Sequence, residues 1–275
     1  MIDKHVSKSA LARSLGVSRS SLYYTPKQPA KDQSLRDHIC VTLNEHPAYG
    51  HRRIALHLGI GKNRVNRVMI KFGIRPSIRH RRPVYGGKRS VSGIPNRTRG
   101  ISPIQANVIW VGDFTYLHFH GRMVYLATVI DRYTREVIAW QIGLHHTTQL
   151  VIDVLEEALR RRETHPYIFH SDQGSEYTAN ACIAWIIKHK IQPSHSPKSK
   201  PWNNGHQESF FDKFKLEFGK ASRHTSIETL IEAIGRYIHY YNTRRIHSAL
   251  KMPPRVYYDK EMLRLTGKKP EPEGV

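Results

Sequence analysis

His170-Ser171-Asp172-Gln173-Gly174-Ser175-Glu176-Tyr177 follows directly on a short apolar run, Tyr167-Ile168-Phe169. The pattern reads as a strand emptying into a polar, glycine-containing turn, with Asp172 at its mouth. Between Asp172 and Glu208, which stands in Asn204-Gly205-His206-Gln207-Glu208-Ser209-Phe210, lie 35 residues. Upstream, Asp113 sits inside a second strand-like run, Val108-Ile109-Trp110-Val111-Gly112-Asp113-Phe114-Thr115-Tyr116-Leu117. A carboxylate within an apolar strand is costly to bury unless a cation or a donor meets it. Three such carboxylates brought together make a hard-oxygen site for Mg²⁺. Spacing alone leaves a second reading open, that the three are unrelated turn and surface acids.

Taken together, Trp110-Val111-Gly112-Asp113-Phe114-Thr115-Tyr116, the His170–Tyr177 stretch and the Asn204–Phe210 stretch agree in order and spacing with a known signature. They resemble the Asp-Asp-35-Glu pattern of the retroviral-integrase superfamily, and within it the OrfB-type transposases of bacterial insertion sequences. The similarity runs from about residue 45 to about residue 258. It implies an α/β fold: a ribonuclease-H-like catalytic core, a five-stranded mixed sheet with flanking helices, preceded by small all-helical helix-turn-helix segments. It also implies Asp113, Asp172 and Glu208 as catalytic metal ligands for two Mg²⁺ ions, with Mn²⁺ able to substitute. Asp113 is expected to bridge both ions, and Asp172 and Glu208 to bind one each. Lys215 stands seven residues after Glu208, two helical turns, and so shares its face. A basic residue there resembles the family's phosphate-contacting lysine; the plainer reading is a surface cation. One departure from the family is visible: Asn203-Asn204 stand where an acidic residue is often found before the small-residue turn.

Charge is the loudest bulk signal. The 275 residues hold 44 Lys+Arg against 22 Asp+Glu, a net of +22. Residues 1–105 carry 21 basic and 4 acidic residues, and residues 106–275 carry 23 and 18. A basic N-terminal portion is the electrostatic footprint of a polyanion partner. A membrane surface would call for a basic amphipathic helix with Trp or Phe opposite. That portion has only Phe72, so double-stranded DNA is the expected partner and no membrane role is expected. No run of about 18 apolar residues suggests a span, and Met1-Ile2-Asp3-Lys4-His5 opens no signal-peptide core. The expected location is the bacterial cytoplasm, in association with the nucleoid. Cys40 and Cys182 are far apart and make no zinc-finger pair, whatever the 18 histidines suggest.

In chain order, residues 7–24 read as a helix-turn-helix about Leu15-Gly16-Val17. Ala10, Leu11, Leu15, Val17 and Leu22 are its expected core, Ser18 the cap of its second helix, and Arg19 a DNA contact. Pro26 and Pro29 mark a linker, and a helix spans about 33–45. A second helix-turn-helix spans about 49–73, with Asn63, Arg64, Asn66, Arg67 and Lys71 outward. Asn and Arg can read base edges bidentately; a solvated basic face is the bland alternative. Residues 75–105 read as a basic linker.

Three apolar runs follow, about 108–117, 122–130 and 136–142, then a helix at about 147–162, a strand at 167–170 and a helix at about 178–189. The first run is apolar at both parities, which suits a central strand covered on both faces. His170 reads as a packed or turn histidine rather than a base. Residues 194–206 read as a mobile loop, with Asn203 or Asn204 capping the Glu208 helix and Phe210, Phe211, Phe214 and Phe218 in the core. The stretch Tyr237–Leu250 resembles the family's closing motif, where Arg245 and His247 could touch DNA or Tyr240 and Tyr241 could pack the tail. The expected divisions are 1–30, 31–80, 81–105 (linker), 106–220 (catalytic core) and 221–275.

The function these features imply is a DDE transposase that binds insertion-sequence ends and catalyses Mg²⁺-dependent 3′-end nicking and strand transfer. The family usually works as a homo-oligomer on paired ends, often fused by frameshifting to a short upstream frame. Two alternatives remain: a DNA-binding regulator whose integrase-like core no longer works, and a Mg²⁺-dependent nuclease of RNA–DNA hybrids.

Overall fold

The computed structural model describes residues 7–24, 27–77, 93–196 and 205–267. Arg79, Arg81, Arg82, Lys88 and Arg89 of the basic linker, and the expected cap at Asn203 or Asn204, lie outside these residues.

The centre is a five-stranded sheet in the order β3-β2-β1-β4-β5. Strands β1 (Ile109–Phe119), β2 (Arg122–Asp131) and β3 (Val137–Gly143) form an antiparallel meander. Helix α5 (Thr148–Arg162) then crosses over to β4 (Ile168–Ser171), which pairs parallel with β1. Short α6 (Ser175–Thr178) and α7 (Asn180–Lys188) lead to β5 (Gln192–His195), parallel to β4. This is the expected ribonuclease-H-like mixed sheet. The fifth strand corrects one expectation: Ser194 and His195 belong to it and not to a loop. Pro193 lacks a backbone N–H, and the edge position of β5 tolerates that.

Both faces of β1 are covered, as its unbroken apolarity requires. Trp110 packs with Val151, Leu155 and Phe169 on one side. Val111 and Leu117 pack on the other with α8 (Gly205–Phe218) and α9 (Ile227–Thr243). Phe210, Phe211, Phe214 and Phe218 all lie in that second core. Asn242 holds the end of α9 to β3, donating to the Val137 carbonyl at 2.9 Å and accepting from its N–H at 3.0 Å. Helix α10 (Pro254–Thr266) closes the described chain.

The preceding helices are α1 (Lys8–Ser14), α2 (Gln28–Glu45), α3 (His51–Leu58) and α4 (Lys62–Lys71). Helix α2 begins earlier than residue 33 because Pro29 sits in its first turn, where its fixed φ and missing N–H suit a helix start. Gly59 ends α3 with φ +65°, in the left-handed region that favours glycine. Ile39, Tyr49, Ile54, Val65 and Val68 form a separate core that also takes in Ile246, from far along the chain.

The N-terminal segment departs from its expectation. After α1, Arg19–Tyr23 is a 3-10 turn, capped by Ser18 as read from sequence. Leu11, Leu15 and Val17 stay exposed and only Ala12 is buried, so the expected small core does not form among the described residues.

Candidate active site

The register of β1 on β4 brings the first two carboxylates together. Val111 pairs with His170, and the same parallel register carried two positions on sets Asp113 beside Asp172. Gly112 is required just before Asp113: a Cβ there would sit 2.4 Å from the Phe169 ring. Asp113 accepts a hydrogen bond from the Phe114 N–H at 2.8 Å. Asp172 accepts one from the Gly174 N–H at 2.9 Å, which folds the Asp172-Gln173-Gly174 turn back on its own carboxylate. A methyl group on Gly174 would lie 3.1 Å from that oxygen and 2.7 Å from Glu176 Oε2.

The third carboxylate is delivered by its neighbour. Gln207 is fully buried and donates to the carbonyls of Val111 (2.7 Å) and Thr128 (3.3 Å), and accepts from the Thr128 hydroxyl at 3.1 Å. Thr128 is the cross-strand partner of Asp113. The first turn of α8 is therefore pinned onto β1 and β2 at the level of Asp113, and Glu208 follows at once.

The carboxyl of Asp113 feels both of the others. Burial pushes the Asp113 carboxyl well above the usual carboxylate range, and Asp172 and Glu208 push it further, while Lys215 pulls it back. Asp172 is also raised, by burial and by Glu176, against the pull of the Gly174 N–H. A buried carboxyl raised by two neighbouring carboxylates belongs to a donor set of hard oxygens, and a divalent cation fits it. The Lys215 ammonium lies 4.8 Å from the centroid of the Tyr116 ring. It acts on Asp113 from the side of α8 that carries Glu208.

His170 is fully buried with both ring nitrogens engaged, Nδ1 with Ser194 Oγ and Nε2 with Ser196 Oγ, each at 2.9 Å. It ties β4 to β5 and is not placed to move a proton.

Of the residues expected to meet DNA, Arg19, Asn63, Arg64, Asn66 and Arg67 lie at the surface. Arg67 has a second attachment: with Lys71 it grips the enclosed Asp32, at 2.6 and 2.9 Å, and braces α4 on α2. Arg245 is a correction. It is 2% exposed and clamps Glu217, donating from Nε at 2.9 Å and Nη2 at 2.7 Å, so its donors face inward and not toward a duplex. Sequence reading also missed Gln207, although it sits inside the quoted motif. A single amide in a helix's first turn carries no periodic signal of its own.

Glu45, His46 and His57 place ligand-type atoms within 4.8 Å of one another, and His46 Nδ1 is bonded to the Tyr240 hydroxyl at 2.7 Å. Among the described residues, no helix is long and apolar enough to cross a membrane.

Two models of the integrase core domain match, over residues 103–201 and 189–254. The chain is 31% identical to the InsK protein of insertion sequence element IS150 from Escherichia coli (strain K12), covering 88% of this chain and 89% of that one. It is 32% identical to the transposase of insertion sequence element IS904 from Lactococcus lactis, over 82% of this chain and 92% of that one. The HTLV-2 integrase catalytic core domain, solved in complex with magnesium, aligns with 57% of this chain and 99% of its own, at 16% identity and a TM-score of 0.44. On the strength of the sequence relatives, this chain belongs to the integrase-core family of insertion-sequence transposases.

Proposed function

We propose that this protein is a DDE transposase that nicks the 3′ ends of its insertion sequence and joins them to target DNA in a Mg²⁺-dependent reaction. The observation that carries the reading is the crowding of Asp172 and Glu208 on the buried carboxyl of Asp113. Burying like charges together is unfavourable unless a cation is held among them. Asp113, Asp172 and Glu208 would hold the divalent ions. When bound, such ions polarise the phosphodiester and activate water or a 3′-hydroxyl as nucleophile.

The chain's own groups do the rest. Gln207 fixes the first turn of α8, so Glu208 meets the strand carboxylates without a search. The Gly174 N–H keeps Asp172 turned toward the site. Lys215, on the Glu208 face, offers its ammonium to a phosphate oxygen. The outward Asn63, Arg64, Asn66 and Arg67 of α4 contact element ends. The protein works on DNA in the bacterial cytoplasm, as a homo-oligomer on paired ends.

The test is strand transfer with labelled element ends, with and without Mg²⁺. Joined product that requires the ion supports the proposal. End binding with no product under any divalent ion would favour a regulator. Cleavage of RNA–DNA hybrids without strand transfer would favour a nuclease.

A further inference from the structure

A second concentration of charge lies away from the carboxylates, where α3, the β2–β3 turn, α8 and the segment after α9 meet. Its frame is Tyr49, which is fully buried. The Tyr49 hydroxyl accepts from the Ile246 N–H at 2.6 Å, and the Arg53 guanidinium stands 5.1 Å from the centroid of its ring. Arg245 and His247 flank Ile246 on either side.

Several polar nitrogens here are buried without a partner: Arg53 Nη1, Arg135 Nε and Nη1, and His247 Nδ1. Lys213 adds an ammonium, held by the Ser209 carbonyl at 2.8 Å. Burial, then Arg245 and Arg53, bring that ammonium down to about 8. His247 is pushed down to about 3 by burial, then by Lys213, Arg135, Arg245 and Arg53. The nearby acids are already engaged. Glu217 is taken by Arg245 and by the Tyr237 hydroxyl at 2.9 Å. Asp131 accepts from the backbone N–H groups of Asn107, Tyr133 and Thr134. Asp212 acts on Lys213 but does not offset the excess.

Buried cations without an anion are costly. Arg53, Arg135, Lys213 and His247 are only half-buried, so the cluster opens to solvent. Lys213 is five residues beyond Glu208, off the face that Glu208 shares with Lys215. We propose that Arg53, Arg135, Lys213 and His247 line a second anion site, which takes a phosphate of the DNA backbone at the junction of the helical module and the catalytic core. Guanidinium forks match phosphate oxygens, and a phosphate held there ties α3 to α8 when DNA is bound. The source of the phosphate rests on the DNA-acting reading above; the anion chemistry does not, and neither depends on the carboxylates.

The experiment uses the full chain and its Arg53→Met, Lys213→Met and Asp113→Asn variants. Thermal unfolding is compared in sodium sulfate and sodium chloride at matched ionic strength. Duplex binding is then measured across a salt series. Wild type and Asp113→Asn should be stabilised more by sulfate than by chloride, and in both site variants that difference should shrink to the general effect of an excluded salt. The slope of log K against log salt should fall by about one in Arg53→Met. Folded variants that keep both the sulfate effect and the full slope would overturn the site. Loss of the sulfate effect with an unchanged slope would overturn the phosphodiester assignment. If Arg53→Met does not fold, Lys213→Met, which also removes one charge, decides by the same two readings. Failure of Asp113→Asn to bind duplex counts against the proposed function, not against this site.

Discussion

At Asp113 the fold holds a carboxyl in surroundings that disfavour its charge. Its pKa is raised by burial, Asp172 and Glu208, so the folded chain binds more protons than the unfolded one. Stability is therefore present below the ordinary carboxylate range and is lost as pH rises from that range through the raised folded-state value. Asp113→Asn should raise the Tm of protein kept in EDTA, where a gain of about 1 kcal/mol reads as roughly 2–4 °C. Mg²⁺ should raise the Tm of wild type and leave the variant unmoved. An equal response in both would count against Asp113 as a ligand. The three acids could be found in the sequence because each sits in a distinctive local motif. Arg245 was misread because its partner, Glu217, lies on α8, before the whole of α9, and nothing in the spacing announces the pair. Gly174 was read only as part of a turn; its need to stay small is a fact of the neighbouring Asp172 and Glu176 oxygens.

Helix α8 is the element on which the site turns, and Gln207 is its pin. Gln207→Leu should leave the carbonyls of Val111 and Thr128 short of a donor, at about 1–3 kcal/mol of stability. It should also lower turnover at saturating DNA by roughly tenfold, the effect of a barrier about 1.4 kcal/mol higher. Unfolding and single-turnover rates measured on one preparation check both. Unchanged turnover in a destabilised variant would reduce Gln207 to a packing residue. The β4–β5 pair gives a pH prediction. His170, brought down to about 4 by burial, then by Arg132 and His195, stays neutral in the folded chain. Its contribution is present above about 6.5 and lost as pH falls toward about 4. A His170→Gln variant should show a flatter loss of stability over that window in urea titrations, and an equally steep loss would exclude the assignment. The long strands were legible from their apolar runs. Strand β5 was not, because Gln192-Pro193-Ser194-His195 offers neither alternation nor an apolar run and is held by its neighbour's register. The 3-10 turn at Arg19–Tyr23 was misjudged as a helix because five residues and a good cap do not settle the pitch.

Across the whole molecule the charge is placed rather than spread. The basic excess sits in the N-terminal portion, with 21 basic against 4 acidic residues over 1–105, and the acidic cluster sits at the strand mouths; on the proposed function the first would hold the polyanion and the second act on it. The helical module is not a free tether: Ile246 completes its core and the Tyr49 hydroxyl holds the Ile246 backbone. No local pattern could have shown this, since the two partners are nearly 200 residues apart in the chain (|i−j| is 197). End binding should weaken steeply with salt, as phosphate contacts require. The account stands most directly on Asp172, which has no part in the helical module or the second anion site. Purified Asp172→Asn should bind labelled element ends as wild type does, while strand transfer in Mg²⁺ falls to background. Wild-type levels of joined product from that variant would contradict the shared metal-ligand role of the three carboxylates.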